Sequence, residues 1–201
     1  MREACSNGGV PESDLARIVN FDSFRAYRGL VSIAEPNPKL YRFLRDNDVD
    51  SHHVINLLHG AIALCPHSFS GPNGPKEDCI FLPVMDEDGV TPIDVVAFSM
   101  ANPARFGTML GLGGVLGAGE VLNPATYWGG EPCRLLRTPL EWLQEGIEFC
   151  AVILDPAIAK PILDWSLGNL AAMDLDHADD LVDMGVVDPA GLVVPLRRAA
   201  A

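Results

Sequence analysis

Residues 133–155 read CRLLRTPLEWLQEGIEFCAVILD. The run CRLLRT, 133–138, has the composition of a strand, and Thr138, Pro139 and Glu141 then form a capping box with proline at the first helical position. Gly146 ends the helix so started. The next run, 147–154, is IEFCAVIL, apolar on both faces from Phe149 onward. A strand of that kind belongs inside a sheet, not at its edge. Asp155-Pro156 repeats the cap-then-proline signal and opens another helix, with Gly168 near its end. A further helix is expected over 176–184, stopping at Gly185. LVVPL, 192–196, makes a last short strand, which Pro195 sends to a sheet edge or terminus. Strand, helix, strand, helix, helix, strand in that order implies parallel pairing through right-handed crossovers.

Upstream, CIFLPVM (79–85) and PIDVVAFSM (92–100) flank the turn DEDG, a β-hairpin signal. Asn102-Pro103 is expected to open a short helix through about Leu110. The glycine run GLGGVLGAG, 111–119, then turns or extends. A short strand is predicted near 119–122, and Tyr127-Trp128-Gly129-Gly130 reads as a turn. Residues 66–77, PHSFSGPNGPKE, form a loop of 12 residues, longer than the usual connection of about 4–6. They mark a lobe boundary or a mobile binding loop. The first 65 residues read as helical. Ser13 caps a helix to about Ile33, and Asn37 with Pro38 starts a short one to about Arg45. Asp50 or Ser51 starts a third to about Leu64, whose Val54, Leu57, Leu58, Ala61, Ile62 and Cys65 share one stripe. The expected class is therefore α+β, or mixed α/β. A helical lobe (1–65) and the loop (66–77) precede a mixed sheet with helices packed on it (78–201), all within one compact unit.

Composition bounds the rest. A chain of 201 residues suits one domain, and 48% hydrophobic against 20% charged residues excludes a disordered chain. The net charge is -13, which argues against gripping a phosphate backbone and makes nucleic acid an unexpected direct ligand. The acidity is concentrated: residues 139–201 hold 3 basic and 11 acidic side chains, a net of -8. Such a field attracts basic partners. The start, MREACSNGGVPESDL, has no apolar core of signal-peptide length. The uncharged stretch 106–119 has 14 residues, six of them glycine, short of the about 20 apolar residues of a membrane span. The five cysteines are irregularly spaced. A cytoplasmic protein with reduced thiols and no membrane partner is expected.

Chemistry-bearing residues are sparse. His52 and His59 share the polar face of their helix, but roughly 10.5 Å along the axis separates them, too far for one metal ion. They suit a partner-contact stripe or a solvated face. His59, Cys65, His67 and Cys79 are of zinc-binding types without a zinc-finger spacing, and Cys65 also completes an apolar stripe. Asp176, Asp179, Asp180 and Asp183 fall three and four apart on one helix face. That face is read as a partner-binding surface, or as solvated acids favoured near a helix start. An alternative is a divalent-cation site using Asp155, Asp174, Asp176 and His177. Asp155 follows a central strand, where open α/β sheets place their sites, though capping also explains it, as it does Asp174. The glycine run fails as a dinucleotide fingerprint because Leu116 stands where the third glycine is needed. No phosphate loop or nucleophile elbow is present, and no cofactor is expected.

Two stretches, DVVAFSMANPARFGTMLGLGGVLG (94–117) and RLLRTPLEWLQEGIEFCAVILD (134–155), together resemble uncharacterised proteins of alphaproteobacterial genomes, often in prophage-like regions. The resemblance covers the C-terminal two-thirds and leaves the first 65 residues outside. It implies a phage or mobile-element setting and supplies no catalytic residue. The expected function is a non-enzymatic accessory protein that binds another protein through an acidic surface. The alternatives are a metal-assisted hydrolase or nucleotide-acting enzyme built on the aspartates, and a virion or assembly component.

Overall fold

A computed structural model describes residues 37–57, 62–71 and 73–195. The helix expected over 14–33, together with Cys5 and His59, lies outside them. The first described helix, α1 (Pro38–Asp46), starts where Asn37 accepts the Lys39 N–H at 2.9 Å, with Pro38 at the first turn. It buries Leu40 and Leu44. Asp50 accepts the N–H groups of His52 and His53, both at 3.1 Å, at the start of α2 (Ser51–Leu57).

The helix read as far as Leu64 is corrected here. Ala63–His67 is a strand, β1, paired antiparallel with β2 (Glu77–Met85), with Cys65 opposite Cys79. A short apolar run fits either period, and Pro66 decides between them. Proline removes a helical donor and pushes the residue before it out of helical space. The helical lobe therefore does not reach residue 65, and the loop expected over 66–77 shortens to 68–76. β3 (Pro92–Ser99) completes the hairpin, and β4 (Phe106–Thr108) pairs antiparallel with it. The short helix expected after Pro103 is thus a strand, because the outer edge of β3 needs backbone partners. This first sheet has the order β1-β2-β3-β4.

The second sheet comprises β5 (Val115–Leu116), β6 (Cys133–Leu136), β7 (Cys150–Ile153), β8 (Leu170–Ala171) and β9 (Leu192–Val193), in the order β5-β7-β6-β8-β9. Pairs β6–β7, β6–β8 and β8–β9 are parallel, and β5–β7 is antiparallel. The parallel pairing expected from residues 133–196 is present, and the class is α+β. The hairpin forms its own sheet instead of joining this one. Residues 118–122, expected as a strand, are the short helix α3 (Ala118–Leu122), and a 3-10 helix follows at Pro124–Gly130. β7 is shorter than IEFCAVIL because Ile147 and Phe149 take left-handed backbone, at φ 64 and 58.

Helices α4 (Pro139–Gln144), α5 (Pro156–Asp164) and α6 (Leu175–Asp183) follow β6, β7 and β8. One core joins the first sheet and α1 to one face of the second sheet, through Ile80, Leu82, Phe98, Leu136, Trp142 and Val152. A second core on the other face gathers Leu135, Ala151, Ala159, Leu163 and Leu181. Among the described residues no helix is long and apolar enough to cross a membrane.

Candidate functional site

The carboxyl ends of β6, β7 and β8 lie side by side, and each is followed by a capped helix. After β6, Thr138 accepts the Glu141 N–H at 3.2 Å, while the Glu141 carboxylate accepts the N–H groups of Arg137 and Thr138 at 2.7 and 3.1 Å. That capping box fixes the backbone of Arg137 and points its guanidinium across the sheet. Arg137 Nη2 donates to Asp174 Oδ1 at 2.7 Å, and the same oxygen accepts the His177 N–H at 2.9 Å as the cap of α6. His177 is 5% exposed, and its Nδ1 accepts the Met173 N–H at 3.2 Å. That bond requires a neutral imidazole with its proton on Nε2. After β7, Asp155 caps α5 by accepting the N–H groups of Ala157 and Ile158 at 2.8 and 3.4 Å.

These bonds answer the metal reading. Among the described residues no three of His, Cys, Asp or Glu converge as a metal-holding group. The set Asp155, Asp174, Asp176 and His177 is therefore not brought together. Asp155 and Asp174 serve as caps, Asp174 is also charge-paired with Arg137, and His177 Nδ1 accepts the Met173 N–H. Asp176 is exposed. Asp179, Asp180 and Asp183 are exposed as well, so the acids of α6 face water. His52 is exposed on α2. Cys65 and Cys79 face each other across β1 and β2 as free thiols, with burial pushing the Cys79 thiol up to about 11.

Protonation at this end of the sheet has a definite sign. Burial, with help from the Arg137 charge, holds His177 below its ordinary value. As pH falls below about 6.5 the unfolded chain takes up a proton that the folded chain resists, so stability declines through the folded value. The Arg137 hydrogen bond holds Asp174 at about 2. Its contribution is complete above about 3.9 and is lost as pH falls toward the folded value. Differential scanning calorimetry is expected to show a thermal midpoint that drops as pH falls below about 6.5. His177→Gln is expected to flatten that upper limb while leaving the decline below about pH 4 in place.

The sequence pattern missed one residue altogether. Asp94 sits in β3 at 0% exposure. Its Oδ1 accepts the N–H groups of Val95 and Leu110 at 2.7 and 2.9 Å, and its Oδ2 those of Leu112 and Gly113 at 2.8 and 3.1 Å. One carboxylate thus organises the crossing from the first sheet to the second. A lone acid inside the apolar run PIDVVAF, upstream of a glycine run rich in unpaired amides, was the available signal. Arg137 was read only as a strand residue; its partner lies 37 positions away.

No protein-family model and no curated protein matches the chain. Among solved structures it is similar to the crystal structure of the Aquifex aeolicus primase (zinc-binding and RNA polymerase domains), with a TM-score of 0.56 and 12% identity. The match covers 95% of this chain and 56% of that one, so this chain spans little more than half of the primase chain's length. The likeness is one of fold alone.

Proposed function

We propose that this chain is a non-enzymatic accessory protein of a phage or mobile element, acting in the cytoplasm by binding another protein through its acidic surface. The ion pair between Arg137 and Asp174 carries this reading. At the strand ends where an α/β sheet ordinarily places its chemistry, the acid is neutralised by an arginine and both neighbouring carboxylates are spent on helix caps. A cation at Asp174 would meet the positive charge of the Arg137 guanidinium already paired with it. The exposed Asp176, Asp179, Asp180 and Asp183 are free of that duty and present negative charge to solvent. Likeness in fold to a primase supports a setting among nucleic-acid-handling proteins, whose surfaces are basic. In that setting the acidic chain engages the protein and not the nucleic acid.

Thermal-shift measurements with Mg2+ and Mn2+ test the reading. The expected midpoint change is below about 1 °C at millimolar ion, because a ligand that binds only the folded state would raise it. A rise of several degrees would overturn the non-enzymatic reading in favour of metal-assisted chemistry at Asp174.

A further inference from the structure

The end of the second sheet opposite the Arg137–Asp174 pair is built differently. There, at the amino ends of β8 and β9, a groove of about 340 Å³ opens between the end of α5 and the turn after α6. Its floor is apolar: Leu163, Leu170, Val186 and Val187 are all 8% exposed or less. Its walls carry the carboxylates of Asp164 and Asp188, and among the described residues no lysine or arginine lines it. Asp164 meets Lys160 only in an exposed i,i+4 pair at 3.4 Å, a contact worth little. Beside the groove, Trp165 and Leu167 stand 64% and 58% exposed. At the same end Trp128 is 85% exposed, on a turn whose Tyr127 ring packs against Gly168. Exposed aromatic side chains on the segments that border a groove mark an interaction surface.

We infer that this groove seats a segment of another protein in which a lysine or arginine adjoins an apolar side chain. The inference rests on the protein-binding reading above and says where binding occurs. The apolar residue fills the floor, and the cation sits between Asp164 and Asp188. Charge chooses between occupants. A second copy of this chain would bring a net charge of -13 against these carboxylates, whereas a cationic segment is drawn to them.

The test is an NMR titration of the full chain with a short peptide of alternating arginine and leucine, with a glutamate-for-arginine peptide as control. Shifts are expected over residues 163–170 and 186–191, with none from the control. Trp165→Ala and Gly191→Trp are expected to weaken binding by at least about tenfold. A Cβ added at Gly191, which lines the groove, meets nothing within 4 Å, so a larger side chain can start there without a clash. Asp188→Ser keeps the cap on Ala190 while removing the charge, and is expected to weaken binding and its salt dependence together. Shifts confined to 176–183 would overturn the groove and leave the acidic-surface reading standing. A concentration-dependent dimer abolished by Gly191→Trp would assign the groove to a second copy and overturn the cationic partner. Equal binding of both peptides would overturn the charge argument. Binding at neither surface at about 1 mM would overturn the groove and the protein-binding reading alike.

Discussion

Asp94→Ala is expected to destabilise the fold by about 4 kcal/mol, since each buried donor left without a partner costs about 1–3 kcal/mol and several lose theirs together. The carboxylate is buried, and the N–H groups of Leu110, Leu112 and Gly113 converge on it from the loop that links the two sheets. A domain has only about 5–15 kcal/mol in hand, so the variant sits near the edge of folding. Asp94→Asn retains one acceptor oxygen and turns an amide donor toward donors, and its expected cost is about 2 kcal/mol. Urea unfolding followed by Trp fluorescence reads both. Asp176→Ala, on the exposed face of α6, serves as the reference and should stay within about 0.5 kcal/mol of the parent. An Asp94→Ala variant as stable as the parent would show that water replaces the carboxylate, and the anchoring role would fall.

Gly117→Ala is expected to cost about 3 kcal/mol, against about 1 kcal/mol for Gly111→Ala. Both residues take left-handed backbone, at φ 83 and 71. They differ in what surrounds them. A methyl group on Gly117 would lie 2.6 Å from the carbonyl oxygen of Cys150, whereas one on Gly111 meets nothing within 4 Å. Left-handed strain is common to the pair, and the difference between them isolates the backbone clash. Equal costs in chemical denaturation would mean that β7 shifts freely, which its place between β5 and β6 argues against.

The pair also explains what GLGGVLGAG is for. Read against a dinucleotide fingerprint, the run failed. In the structure two of its glycines serve close approach to later elements: Gly114 lies against the backbone of Ile158 and Ala159, and Gly117 against Cys150. That purpose could not be read in advance, because the partners are more than 30 residues downstream. Local signals fared better. The capping box at Thr138 and the caps at Asn37, Asp155 and Asp188 stand where side chain and proline spacing place them. The parallel order of β6 to β9 follows from those helices, since each cap forces a crossover. Misreadings arose at Ala63–His67, at 118–122 and at the run after Asn102-Pro103, where the apolar stretches are short. At Ala63–His67 and Phe106–Thr108 pairing with a neighbouring strand accompanies the extended conformation, whereas 118–122 is helical.

The candidate site divides in the same way. The exposure of Asp176, Asp179, Asp180 and Asp183 followed from their spacing on one helical face. The neutralisation of Asp174 by Arg137 did not, because it joins the ends of two strands that become neighbours only when the sheet forms. The groove between Leu163 and Gly191 was equally invisible, since its floor draws on the end of α5, the start of β8 and the turn after α6.

The strand lengths at the rims bear on behaviour at high concentration. In the second sheet the outermost strands, β5 and β9, have two residues each; in the first, β4 has three, and β1 has five with Pro66 among them. Two or three residues offer too few free amides and carbonyls to template a neighbouring chain, and a proline interrupts the longest rim. Stacking into fibrils by continued sheet growth is thereby discouraged, and like-charge repulsion between molecules adds to it. The chain should stay dispersed at concentrations where long, flat-edged sheets begin to polymerise.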